Sequence, residues 1–276
     1  METVMNRVVS LIKAQAPPIF CALTIALSFA VTLLPLPGEA VPVMMVFIPA
    51  LIALSLTAAT DGWSGARALA GKLGQWRVRL IWIVAAVALG LVLRLAISGV
   101  AMLLGLIPTI QLRPWALAQT VFFGVMLFVF ALPEELGWRG YALPKLLTVH
   151  SPLVAGLIVG VLWGSLHLAL TLPGMINAGA PALPTLLGLI GLSVLATWLY
   201  IRTNGNLLLT SLLHAAQSFF VILNDGITIG QQTWLMAGVY LAAAVVVAIA
   251  AGPSFARKPM TPIETRATRS IVNRPM

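Results

Sequence analysis

The sequence predicts an all-α fold, a polytopic membrane helical bundle of about eight transmembrane helices. Three observations carry that prediction. Of 276 residues, 60% are hydrophobic and only 8% are charged, against roughly 25% charged in an ordinary soluble domain. Mean hydropathy over the chain is +1.03. Apolar runs of about the 20 residues needed to cross a bilayer recur along the chain, separated by Pro, Gly and charged residues.

The first run, near 17–34, follows Arg7 and Lys13 and contains Cys21, the one cysteine of the chain, so no internal disulfide can form. A signal peptide cleaved near Gly38 and Ala40 is the weaker reading of this run, because removing it leaves an odd number of spans. The second run, 41–60, leads into the segment 61–79, where Trp63, Trp76 and four basic residues surround a weak apolar stripe. Aromatic and cationic anchors of this kind predict a helix lying in the cytoplasmic interface. Further runs follow near 80–107, 115–136, 152–171, 184–201, 206–223 and 234–251. Residues 1–252 therefore form a single integral membrane domain. The segment 253–276, with Pro253, Pro259, Pro262 and five basic residues, is predicted to be a disordered, membrane-attracted tail.

The formal net charge of +9 does not indicate nucleic acid, because no loop is long enough to present a basic face; it reports topology instead. With the N-terminus in the cytoplasm, 14 of the 16 basic residues fall inside, the exceptions being Arg94 within a span and Arg113 outside, while Glu39 and Asp225 also fall outside. This asymmetry predicts eight spans with both termini cytoplasmic. Short loops and high Ala and Leu content predict a bacterial inner (cytoplasmic) membrane. Oligomeric state has no signal in the sequence, and no internal repeat supports an inverted transporter pair.

Ionisable groups inside the spans are few: Arg94, Glu134, Glu135, His167 and His214, with Arg139 at an edge. An ionised side chain at the bilayer centre costs about 2.5 kcal/mol at the least, so each is a functional candidate. On a helix Glu135 and Arg139 lie four apart and share a face, whereas Glu134 points about 100° away. That predicts one carboxylate tied to a cation and one free. A solvated cap at the end of the fourth span is the competing reading, since Pro133 and Gly137 can mark a helix end. Two histidines on separate spans need a shared partner, and the glutamates are candidates. Two chemistries then stay open: a His2Glu zinc site, or Glu134 as general base on a water with the histidines orienting it and stabilising an oxyanion. No H-E-x-x-H is present, so a metal site would have to be assembled across spans. Arg94 is expected either to pair with a glutamate or substrate carboxylate, or to snorkel from a tilted helix. Met44, Met45 and Met102 read as packing.

The runs P-E-E-L-G-W-R-G-Y (133–141), W-G-S-L-H (163–167) and H-A-A-Q-S (214–218) resemble the three motifs of the CPBP intramembrane proteases, the family of the type II CAAX prenyl endopeptidases and of many bacteriocin-processing or immunity proteins. The resemblance covers about 115–223. It implies an eight-span bundle, an endopeptidase acting on a membrane-associated peptide or protein, and a cavity open to the cytosolic side and to lipid. It implies that Glu134 and His167 activate the hydrolytic water, that Glu135 and Arg139 hold the site together, and that His214 with the residue four beyond it stabilises the oxyanion. It leaves the metal open, with Glu134, His167 and His214 as the ligands of any zinc. Two positions depart from the pattern: Trp163 replaces the usual Phe, a change conservative in role, and Ser218 stands where Asn is usual. A hydroxyl is shorter than an amide by about one bond, yet still donates one hydrogen bond. Rival readings are a catalytically weak scaffold of the same fold, for which Ser218 is the support, and a proton-coupled transporter using Glu134 and the histidines as a relay.

At 1.5 Å per residue, His214 lies about 12 Å from the start of its span and His167 about 22 Å from Pro152. Because the motifs must meet, the fifth span is expected to start late, in the interface after His150, or to tilt strongly.

Overall fold

The computed structural model describes residues 2–37, 39–110, 112, 114–223 and 226–257, with side chains from Gln15 to Ala256. Arg7, Lys13, Gly38, Arg113, Asp225 and the chain from Lys258 onward, on which parts of the charge and tail readings rest, lie outside the described residues or side chains.

Every described element is helical: α1 (Glu2–Val31), α2 (Ala40–Gly71), α3 (Leu80–Leu103), α4 (Leu117–Glu135), α5 (Leu143–Leu147), α6 (Pro152–His167), α7 (Ala182–Arg202), α8 (Leu207–Phe219), α9 (Ile229–Ala251) and α10 (Pro253–Arg257). A helix stands at each of the eight apolar runs. Among the described residues six are long and apolar enough to cross a membrane; Gln15–Val31 and Leu207–Leu223 are shorter apolar helices. Large apolar side chains such as Leu51, Leu80, Val92, Phe122, Val125 and Val246 face outward and exposed. On a protein this apolar, such a surface suits a lipid solvent, in which backbone polar groups must be satisfied within each helix.

Helix α7 forms the centre, packed between α6 and α9, while α8 packs on α3 and α4, and α1 on α2. Lipid tails are as apolar as the helix faces, so close backbone approach does the holding. Along α6 the small residues Gly156, Gly160 and Gly164 recur every four positions and face α7; a Cβ at Gly160 would stand 2.7 Å from the Cα of Ile190. Between α7 and α9, a Cβ at Gly191 would stand 2.6 Å from the carbonyl carbon of Tyr240.

Four expectations change. The fourth span does not end at 136: α4 runs through Pro133 into a π-helical turn, Leu136–Ala142, and on to α5, an apolar stretch of 31 residues from Leu117 to Leu147. Gly137 is therefore not a terminator but a point of contact, its missing Cβ letting Pro49 of α2 come close. The fifth span starts at Pro152 as drawn, with the Ser151 side chain capping it, and not later. The long fourth span sets Glu134 about 20 Å from Leu147, comparable with His167 at about 22 Å from Pro152. In segment 61–79, α2 continues past a kink at Gly62 (φ 72°) only to Gly71, and after a short 3-10 turn residues 75–79 are non-helical. Trp63 and Trp76 remain exposed. At the other end, residues 253–257 form α10, with Phe255 buried against Val194 and Ala244, so order persists beyond Gly252.

Candidate active site

The site grows from the C-terminal end of α4. Glu134 and Glu135 are its last residues, both buried, and the π-turn that follows buries every residue from Leu136 to Ala142. Turns of this kind concentrate at functional sites, because the widened backbone re-aims side chains that a regular α-helix would stack. Phe20 of α1 braces the turn from outside, edge-on to Trp138 with ring centroids 5.2 Å apart and against Tyr141 at 5.1 Å.

Arg139 Nη1 donates to Glu135 Oε1 at 2.9 Å, with both side chains fully buried. The predicted pair thus forms, although Arg139 reaches it from a π-turn. The same carboxylate oxygen lies 3.2 Å from His214 Nδ1 of α8. Glu135 therefore joins the π-turn cation to the third motif.

Glu134 is not the free carboxylate expected from helical geometry. Its Oε2 accepts the indole N–H of Trp163, on α6, at 2.6 Å. Trp163 is also the centre of the cluster: the Arg139 guanidinium lies over its ring at 4.5 Å, and its ring meets those of His167 and His214 edge-on at 5.3 and 5.0 Å. Trp163 in place of Phe is therefore not conservative in role, since a phenyl ring has no N–H to give a carboxylate. His167, the last residue of α6, is held by its Nδ1, 2.9 Å from the Trp163 carbonyl oxygen.

Each histidine's tautomer follows from its partner. A carbonyl oxygen only accepts, so His167 Nδ1 carries the hydrogen and Nε2 presents a lone pair. A carboxylate paired with arginine likewise only accepts, so His214 Nδ1 donates and Nε2 stays outside that bond.

Ser218 lies on the same helix as His214, one turn further on. Its hydroxyl oxygen accepts from Gln217 Nε2, which also donates to the His214 carbonyl at 3.0 Å. Tyr240 of α9 fixes that amide by donating its hydroxyl to Gln217 Oε1 at 2.9 Å. Gln217 and Tyr240 escaped the sequence reading because it counted ionisable groups only; a search for any hydrogen-bonding side chain next to a span histidine finds Gln217.

Arg94 stands apart from this cluster. It is buried on α3, which rules out snorkelling, and its Nη2 donates to Gln232 Oε1 at 3.3 Å.

Among the described residues no group of three or more His, Cys, Asp or Glu side chains is placed to hold a metal ion. Glu134 Oε2 is taken by an indole N–H, and both Nδ1 atoms are committed. What these bonds leave uncommitted is the second Glu134 oxygen and the two imidazole Nε2 atoms, groups able to exchange protons with a water.

Residues 115–220 match the family model described as Type II CAAX prenyl endopeptidase Rce1-like. This segment is similar to the Rce1-like type II CAAX prenyl endopeptidases. The match begins just before α4 and ends just after α8, so it spans all three motif helices and the central helix α7. No curated protein matches the chain at a significant level. The matched segment contains every member of the cluster around Trp163, and Tyr240 joins it from outside the matched range.

Proposed function

We propose that this protein is an intramembrane endopeptidase that hydrolyses a peptide bond of a membrane-associated protein or peptide with a water activated by Glu134 and His167. The observation that carries the reading is the buried Glu134 carboxylate, held by Trp163 in the ring of side chains that includes both span histidines. Glu134 takes the proton of the attacking water, and the His167 Nε2 lone pair accepts its second hydrogen, aiming the oxygen lone pair at the scissile carbonyl. As the tetrahedral oxyanion forms, the protonated His214 ring donates from Nε2 while its Nδ1–H stays on Glu135. Ser218, whose oxygen already accepts from Gln217, retains its own O–H as a second donor. Glu134 then passes its proton to the leaving amine. Arg139 keeps Glu135 ionised and in place. With Ser218 shorter than an amide, the second oxyanion contact is weaker, and losing such a donor typically costs about 100- to 1000-fold in rate.

The charge asymmetry of the loops supports a multi-pass inner-membrane placement with both termini cytoplasmic and the site reached from that side. Ser218 also favours a second reading, a scaffold or immunity protein that keeps the architecture with little turnover. One experiment separates them. The purified protein is reconstituted in liposomes with membrane-anchored peptides, and products are followed by mass spectrometry. Glu134→Gln should abolish cleavage with the unfolding transition preserved. Undiminished cleavage by that variant would refute the base assignment, and no cleavage by either form, with peptide binding equal in both, would favour the scaffold.

A further inference from the structure

Away from the Trp163 cluster, a cavity of about 600 Å³ opens where the 74–79 connection crosses the loop between α7 and α8. That volume is in the range of ordinary ligand sites. Two chain segments more than a hundred residues apart bring three arginines to its lining: Arg77 and Arg79 from one, Arg202 from the other. Among the described residues none of the three is paired with a carboxylate; Arg77 lies over the Trp76 ring at 5.4 Å.

The wall is built, not draped. Asn206 is buried and does two jobs: its Nδ2 donates to Gln75 O at 2.7 Å, pinning the connection, while its Oδ1 accepts from Leu209 N at 3.0 Å and caps α8. Trp82, also in the lining, is set edge-on against Trp198 at 6.3 Å. Asn204 holds the loop in the left-handed region at φ 53°, a conformation asparagine tolerates better than most residues.

Three arginines around one concavity repel each other unless an anion lies between them. Planar guanidinium forks match phosphate oxygens bidentately, and an exposed indole such as Trp76 sits at home at headgroup depth. The geometry points to a binding site for a phosphate-bearing anion in this cavity, filled in the membrane by the headgroup of an anionic phospholipid. The site is independent of the proteolytic reading: its residues are not those of the Trp163 cluster, and a lipid here contacts the cap of α8 about 12 Å from His214.

The test uses the full-length protein in detergent, with retention of dioleoylphosphatidylglycerol and of dioleoylphosphatidylcholine measured by native mass spectrometry. Wild type should retain the anionic lipid over the zwitterionic one. Arg77→Gln, Arg79→Gln and Arg202→Gln combined should weaken that retention about 10- to 100-fold, since each basic residue near an anionic surface contributes on the scale of a few-fold in binding. A control triple, Arg266→Gln, Arg269→Gln and Arg274→Gln, removes equal charge elsewhere and should leave it unchanged. Inorganic phosphate added in competition separates the sources: displacement at low millimolar concentration shows that the phosphate group alone suffices, and failure to displace shows that the lipid is required. Equal loss in both triples, or retention by the first, overturns the proposal. Arg77, Arg79 and Arg202 are exposed, and an unchanged unfolding transition checks that the fold is intact.

Discussion

Breaking the Glu135–Arg139 pair is the perturbation whose size follows most directly from the structure. The two side chains are fully buried, 2.9 Å apart, and about 6 kcal/mol of attraction is expected at that separation with an effective dielectric near 20. Removing one partner forfeits that attraction and strands the other charge without water, which typically costs about 3–5 kcal/mol. Arg139→Met should therefore lower stability by about that amount, and Glu135→Leu likewise, with His214 losing its acceptor as well. Removing both leaves no stranded charge. The double variant should be less destabilised than the sum of the singles by at least about 2 kcal/mol. Mixed-micelle unfolding by sodium dodecyl sulfate, followed through tryptophan fluorescence, gives all four free energies. Strictly additive singles, or a single costing under about 1 kcal/mol, would refute the claim that this ion pair holds the π-turn against α8.

Trp163→Phe keeps an aromatic ring but deletes the donor to Glu134; a hydrogen bond to a charged group is worth about 1.5–3 kcal/mol, so the unfolding free energy should fall by that much, and an unchanged value would show that Glu134 does not depend on the indole. Gly191→Ala drives a methyl into the Tyr240 backbone and should cost about 1–3 kcal/mol through separation of α7 and α9, measured by the same unfolding assay; a neutral effect would mean the two helices are not in close contact there. Glu134→Gln should be inactive at every pH at which the wild type cleaves, measured by the same liposome assay; activity of that variant at any pH would contradict proton transfer by this carboxylate.

Composition and periodicity by themselves determined that the chain is a bundle of apolar helices, because lipid permits few other spanning structures and the scarcity of charge leaves no alternative solvent. They also determined the candidate residues, since a carboxylate or imidazole in a span is too costly to be incidental. What they missed lies where two helices meet. An ideal α-helix left Glu134 unpartnered, and only the packing of α6 on the end of α4 brought an indole N–H to it. Pro133 and Gly137 read locally as a helix end, yet contact with Pro49 and a π-turn carry the helix on to Leu147, which sets the depth at which the motifs meet. The arginine cavity is equally invisible in one dimension, because Arg77 and Arg202 become neighbours only when Asn206 ties the two segments together. Hydrophobic spacing reports which solvent each helix prefers; which hydrogen-bonding side chains share a partner depends on how the helices pack, and no local pattern encodes that.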